Sequence, residues 1–292
     1  MIATRRTGAS SEMGWAIVTG ASSGIGRAFA LQLAGSGHPM LLVARRGPEL
    51  ERVAAEIAGR GGRAEILTAD LVGPGGVESV VTRASELGDV DVLVNNAGFG
   101  NYGPFLSQSS GRQRDELALN IGAVVALTRG VLPRMVARGR GQIINLASLL
   151  SFMPTPYFAT YGATKAFVLS FSEALAQELR GTGVRVFASC PGPAKSDFAQ
   201  VAGAERAYDR FPQLDPEVVA RRSLSAARRG RVMRVIGWLS AIIIFSVRLT
   251  PRFLMRRIMD LVLGPPAPRR SARNRISRQS RKEESATVTA NR

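Results

Sequence analysis

The sequence predicts an α/β fold: a doubly wound parallel sheet of about seven strands, helices on both of its faces, and a helical extension at the C-terminal end. Two observations carry this. Continuous apolar runs rich in Val, Ile and Leu recur through the first 190 residues, the pattern of strands buried on both faces. Between them lie longer stretches whose apolar residues recur every three or four positions, the period of a helix.

The elements follow in order. "WAIVTG" (15–20) is the first strand, and it runs into three closely spaced glycines that open a helical pattern over 25–36. The strand "MLLVA" (40–44), a helix over 48–59, the strand "AEILTA" (64–69) and a helix over 75–87 come next. "DVLVNNA" (91–97) leads to a helical pattern over 112–138, and "QIINLAS" (142–148) leads to another over 162–180. "VRVFAS" (184–189) is the sixth strand. After Asp215 the pattern changes: "GRVMRVIG" (230–237) supplies one more strand and "WLSAIIIFSV" (238–247) an apolar helix. "PRFLMRRIMDLVLG" (251–264) then reads as a helix with Pro251 in its first turn and Gly264 as its stop. Four segments result: a flexible start (1–13), the sheet domain (14–237), apolar and amphipathic helices (238–264), and a disordered basic tail (265–292) without periodicity.

Composition limits what the chain can do. With 45% hydrophobic residues in 292 there is ample material for a core. The lone Cys190 excludes an internal disulfide and, just before Pro191 at a strand end, is expected as a small buried apolar residue. The lone His38 is expected in a loop, and with one histidine no multi-histidine metal site forms; no metal is expected. The first residues carry Arg5 and Arg6 with no apolar stretch after them that would make a signal peptide, so a reducing, cytoplasmic setting is expected.

The net charge of +17 is uneven: residues 1–220 hold 21 Arg/Lys against 19 Asp/Glu, and residues 221–292 hold 18 against 3. No recognition module or interleaved aromatics accompany the basic region, which argues against specific nucleic-acid binding. Of the 39 cations only Lys165, Lys195 and Lys282 are lysines, so a lysine at a particular place asks for a reason.

Directly after the first strand comes "TGASSGIG" (19–26), in which Gly20, Gly24 and Gly26 open a helix. Glycines there let the backbone turn tightly against a pyrophosphate, and the helix N-terminus offers free amides. The loop, with Ser22, Ser23 and Ile25, is therefore a dinucleotide cradle in a Rossmann-type sheet. The end of the second strand, where an acid would accept from the adenosine ribose 2′-hydroxyl, holds Ala44, Arg45 and Arg46 instead. Arg45 can hold a 2′-phosphate by charge-assisted bonds, so NADP is favoured over NAD.

"TGASSGIG", "NNAG" (95–98), Asn120, Ser148, "YGATK" (161–165) and "PGPAKSDF" (191–198), in that order and spacing, resemble the short-chain dehydrogenase/reductase family over residues 15 to about 200. The resemblance implies that Tyr161 is the general acid/base, that Ser148 bonds the substrate oxygen, and that Asn120 holds a water in a proton relay to Lys165. It further implies that Asp70 accepts from the adenine amino group beside Leu71, that Asn95 lies near the cofactor ribose, and that Pro191, Gly192 and Ser196 approach the nicotinamide. Ser196 stands where the family usually has threonine, but the hydroxyl is kept. The chemistry agrees, because a ketone that accepts a hydride needs a proton and a free tyrosine, at about 10, is too weak an acid. An ammonium one helical turn away lowers that value, and its compact head can hold ribose hydroxyls. This is the reason for Lys165. Tyr157, with no lysine four residues on, is expected as a wall of the substrate pocket.

For the C-terminal third three readings stand: a last core strand and helix, a lid over an apolar substrate, or an element lying on an anionic membrane surface. The apolar stretch 235–247 is short of the ~20 residues that cross a bilayer. Together these features point to an NADP-dependent oxidoreductase interconverting a carbonyl and a secondary alcohol on a lipophilic substrate, such as a ketoacyl chain or a steroid- or polyketide-like ring. The other class of reading is a membrane-surface protein that keeps fold and cofactor without turnover. A homodimer or homotetramer through the helices at 112–138 and 162–180 is expected by analogy with the family.

Overall fold

In the computed structural model, residues 13–264 are described; the expectations for residues 1–12 and for the basic tail 265–292 lie outside them. Seven strands form one parallel sheet: β1 (Trp15–Thr19), β2 (Met40–Ala44), β3 (Ala64–Thr68), β4 (Val90–Asn95), β5 (Gly141–Leu146), β6 (Val184–Pro191) and β7 (Met233–Ile236). Their order is β3-β2-β1-β4-β5-β6-β7, so the chain reverses its direction of travel between β1 and β4, and a crevice opens there at the carboxyl ends. In β1 the period of two divides the side chains: Ala16 and Val18 pack into one core, Trp15 and Ile17 into the other. Both faces are therefore buried, which is why the runs are apolar without alternation.

Helices α1 (Gly24–Ala34) and α2 (Gly47–Gly59) cover the first face, while α3 (Gly76–Glu86), α5 (Val124–Arg138) and α6 (Ala159–Glu178) cover the second. The expected helix 112–138 is α4 (Ser110–Leu117) followed by α5, joined through a π-helical turn over Ala118–Ala123 that contains Asn120. The combined stretch is long and apolar enough to cross a membrane, but Leu127, Val131 and Met135 pack on the sheet.

The shortest helices are α7 (Phe198–Ala202) and α8 (Glu205–Tyr208). Next is a helix that the periodicity did not disclose, α9 (Pro216–Arg228). Asp215 caps it by accepting from the Glu217 amide at 2.9 Å, and Pro216 fills its first position. Its buried side, Val219, Ala220, Ser223, Leu224 and Ala227, is small and interleaved with arginines, which masks the apolar stripe. At the C-terminal end lie α10 (Trp238–Leu249) and α11 (Arg252–Leu263); Pro251 stands just before α11 rather than inside it, and Gly264 follows it. His38 lies in a loop, as expected, and is buried with Nδ1 2.7 Å from the Gly14 carbonyl oxygen.

Candidate active site

The crevice beyond β1 and β4 opens into one cavity of about 800 Å³. One end is the glycine turn. Gly20 and Gly24 have positive φ, 65° and 53°, which a side chain would strain. A Cβ on Gly26 would meet the Gly20 carbonyl oxygen at 2.1 Å, so Gly26 closes the turn from behind and does not line the cavity. A Cβ on Gly24 would come within 2.9 Å of Ser196, filling the groove where a phosphate group would pass. Ser22, Ser23 and Ile25 line the same end, and α1 carries no acid in its first turn.

Arg45 and Arg46 both line the cavity, but Arg46 is the one tied to the loop. Its Nη2 donates to Ser23 Oγ at 2.9 Å and to Ser22 Oγ at 3.2 Å. It also reaches Asp197 at 3.1 Å. Asp70 and Leu71 stand on the wall, with Asp70 Oδ1 accepting from the Val72 amide at 3.1 Å. Asn95 does not: its side chain is buried in the sheet, donating to Asn145 at 2.8 Å and Thr128 at 3.2 Å. As the last residue of β4 it points inward, and the alternation turns Asn96 toward the cavity instead, with its amide held by the Thr19 and Gly20 carbonyls.

At the other end three of the four expected catalytic residues meet. Ser148 follows β5 and Tyr161 and Lys165 lie one turn apart on α6, all on the cavity wall. Tyr161 stands beside Ser148, whose side chain pulls its hydroxyl down and whose Oγ accepts from the Leu150 amide at 3.1 Å. Lys165 Nζ donates to the Leu146 carbonyl at 2.6 Å and lies 5.7 Å from the centre of the Tyr161 ring. Asn120 is buried behind them, away from the wall. Its Nδ2 donates to the Phe99 carbonyl at 2.8 Å and to Thr164 Oγ1 at 3.1 Å, and its Oδ1 accepts from the Phe99 amide at 3.2 Å. The π-helical turn gives the amide this orientation. A Cβ on Gly98 would stand 2.9 Å from Asn120 Oδ1 and 3.5 Å from Lys165 Nζ, so Gly98 is what separates the two.

Tyr157 is not a wall of this cavity. It adopts a left-handed backbone, φ 66°, and packs beside Tyr102 and the buried faces of Met255, Met259 and Leu263. Its carbonyl accepts from Gly103, which holds it one layer outward. Pro191, Gly192 and Ser196 line the cavity as expected. The apolar remainder of the wall comes from Phe158, Phe198, Tyr208, Trp238, Ile243 and Met259. Glu116 was also missed: it is fully buried, accepts from Asn101 at 2.6 Å, and its Oε1 has no partner among the described residues.

A profile of the short chain dehydrogenase family matches residues 14–207. The chain belongs to the short-chain dehydrogenase family. A short chain dehydrogenase of Pseudocercospora fijiensis is 37% identical over 208 residues, 68% of this chain and 66% of that one. A very-long-chain 3-oxoacyl-CoA reductase of Laccaria bicolor is 39% identical over 176 residues, 59% of this chain and 52% of the relative, so the match spans about half of that protein. Among solved structures, a short-chain dehydrogenase from Sphingobium yanoikuyae in complex with NADPH superposes with a TM-score of 0.75 at 30% identity, covering 88% of this chain and 99% of that one.

Electrostatics in this short-chain dehydrogenase are set by burial. Burial raises the Tyr161 hydroxyl well above its ordinary range, the neighbouring Ser148 side chain opposes this, and the Glu116 charge adds to it. The lowering of Tyr161 expected from Lys165 is not seen here, where the ammonium donates to the Leu146 carbonyl instead. Lys165 itself is pushed down to about 8 by burial. Cys190 is buried, as expected, and its thiol is pushed up to about 12. The glycine turn, the helix N-terminus, Arg46 with its two serines, and Asp70 further along fit a dinucleotide carrying a 2′-phosphate. A Cβ on Gly24 would close the groove between this turn and Ser196.

Proposed function

We propose that the protein is an NADP-dependent reductase that converts the 3-oxo group of a long acyl thioester into a 3-hydroxy group. The carrying observation is that Ser148 and Tyr161 stand on the wall of a cavity that Phe158, Phe198, Trp238 and Met259 also line. The name of the Laccaria relative supports an acyl chain over a ring, and the NADPH carried by the Sphingobium protein supports the cofactor.

Reduced NADP, when bound, supplies the hydride that the carbonyl carbon receives. Ser148 donates a hydrogen bond to the carbonyl oxygen, and Tyr161 transfers its proton to that oxygen as the double bond becomes single. Lys165, released from Leu146, holds ribose hydroxyls and steadies the tyrosinate left behind. Asn120 holds the Phe99 backbone so that Gly98 keeps an open space beside Lys165, the route by which Tyr161 is reprotonated. We place a homodimer on the outer faces of α5 and α6, where Val125, Val136 and Phe167 stay exposed; light scattering tests it.

Turnover is tested by NADPH oxidation with 3-oxoacyl thioesters of increasing length beside a steroid ketone and a short ketone. Rates that rise with chain length, with NADPH preferred to NADH, are expected. Absence of turnover on every acyl thioester overturns the substrate, and equal use of NADH overturns the cofactor.

A further inference from the structure

Helices α10 and α11 are apolar on two sides. Their inner sides are buried: Ser240 and Ile244 on α10, and Met255, Met259 and Leu263 on α11. Their outer sides carry a second stripe. On α10 it runs Trp238, Ile242, Phe245 and Leu249, a helical spacing of four, three and four, with Trp238 76%, Phe245 67% and Leu249 71% exposed. On α11 it runs Leu254, Ile258 and Leu261, the last 81% exposed, with Phe253 alongside. A helix packed on a water-soluble domain would place polar residues there. Isolated exposed apolar residues are ordinary, but two consecutive helices that each carry such a stripe mark an interaction surface.

Three further observations say what covers it. First, the hydroxyls of Ser246 and Thr250 turn back to backbone carbonyls, Ile243 and Ser246, at 2.8 Å each, which satisfies them without solvent. Second, exposed Arg252, Arg256 and Arg257 flank the α11 stripe, and residues 238–264 hold four arginines against the single Asp260. A second copy docking through the same patch would bring like charges together, since a two-fold interface sets a surface against itself. An anionic partner is favoured instead. Third, the patch is continuous with the cavity: Trp238 and Leu239 are exposed and also line it, while Ile243, Met259, Val262 and Leu263 form its inner wall. Tyr102 Oη donates to the Leu263 carbonyl at 2.6 Å and ties to this end the loop that carries the exposed Phe105 and Leu106.

We infer that α10 and α11 are a docking platform for an anionic lipid bilayer, their outer stripe lying among the acyl chains and their arginines among the headgroups, with the mouth of the cavity facing the lipid. Burial of the stripe supplies the part of the binding that salt does not remove; the arginines supply the part it screens. The chain need not cross the membrane. The inference goes beyond the proposed reduction and holds whether or not a 3-oxoacyl thioester is the substrate.

The two tryptophans make the test direct, because Trp15 is buried in the sheet core and Trp238 is exposed. The full chain is mixed with phosphatidylcholine vesicles containing phosphatidylglycerol, with and without brominated acyl chains. Co-sedimentation and quenching of Trp238 by the brominated lipid are expected, both weaker on pure phosphatidylcholine, and Trp238→Phe should lose the quenching while keeping the binding. A variant carrying Ile242→Ser, Phe245→Ser and Leu261→Ser, all exposed, should keep its circular dichroism and NADPH binding yet bind anionic vesicles at least 10-fold more weakly. Failure of the full chain to bind anionic vesicles at low salt overturns the inference. So does binding without quenching, or binding unchanged in the triple-serine variant, since either would place the contact elsewhere. If the triple variant instead turns an oligomer into a monomer and vesicles are not bound, the patch is a subunit interface and the inference also fails.

Discussion

Arg46, at the end of β2, reaches across the phosphate turn to Asp197 at 3.1 Å, a residue contributed by the segment after β6. The proposed cofactor would bring its 2′-phosphate beside this pair. Both side chains are about half exposed, so the ion pair itself contributes under about 1 kcal/mol and an incoming dianion can displace Asp197.

Cofactor preference follows from this pair. Arg46→Ala should weaken NADPH binding about 10- to 100-fold, the loss of a charge-assisted hydrogen bond of roughly 1.5–3 kcal/mol, and leave NADH nearly unchanged. Asp197→Asn should tighten NADPH by up to about 5-fold by removing the competitor. Fluorescence titration of both cofactors decides; equal losses for NADH and NADPH would place the phosphate elsewhere, with Arg45 the next cation on the wall.

The proton donor is tested by Tyr161→Phe, which keeps the ring packed between Phe158 and Phe198, whose centroids lie 5.7 Å and 5.0 Å away. Turnover should fall by at least ~10²-fold, the effect of removing a positioned acid, with NADPH affinity retained. Stopped-flow reduction near the parent rate would remove Tyr161 from the mechanism.

Glu116 makes stability depend on pH. Burial raises its carboxyl from 4.5 to about 7, against the pull of Asn101, Arg112 and Lys165. Between those values the folded chain keeps a proton that the unfolded chain has lost, so stability is full below about 4.5 and declines as pH rises to 7. The whole effect is roughly 3 kcal/mol at 1.36 kcal/mol per unit. Glu116→Gln, which can still accept from Asn101, should therefore match the parent near pH 5 and be more stable at pH 8. Urea unfolding at the two values measures it, and a difference independent of pH would contradict the assignment.

The sheet was legible because β1, β2, β4 and β6 are buried on both faces, and such runs stand out in any order of elements. Ser148, Tyr161 and Lys165 were legible because local spacing alone brings the last two to one face of α6. What escaped depended on partners distant in sequence. Seeing that Asn96 rather than Asn95 faces the cavity needs the inward side of β4, and seeing that Arg46 joins Arg45 on the wall needs the position of Ser22 and Ser23. Tyr157 is displaced by a left-handed backbone that only its packing on α11 explains. Glu116 looked like one more charge on a polar helix, since nothing nearby in sequence shows that Asn101 folds over it.

Gly98 offers the sharpest test of how Asn120 acts. The Asn120 amide spends its bonds on the Phe99 backbone and Thr164, so it is a clamp on the segment after β4. Replacing Asn120 removes both roles at once and leaves buried partners unsatisfied. Gly98→Ala keeps the Asn120 amide, whose Oδ1 must give a little, and fills the space beside Asn120 Oδ1 and Lys165 Nζ, with its new Cβ at 2.9 Å from one and 3.5 Å from the other. Overpacking of this kind costs about 1–3 kcal/mol of stability, or a few degrees in melting temperature. If protons reach Tyr161 through that space, kcat should fall by more than the stability loss accounts for, with the KM for NADPH unchanged and a larger solvent isotope effect as the proton step becomes limiting. An unchanged kcat in a folded Gly98→Ala enzyme would show that Asn120 serves only to hold Phe99 and that reprotonation takes another route.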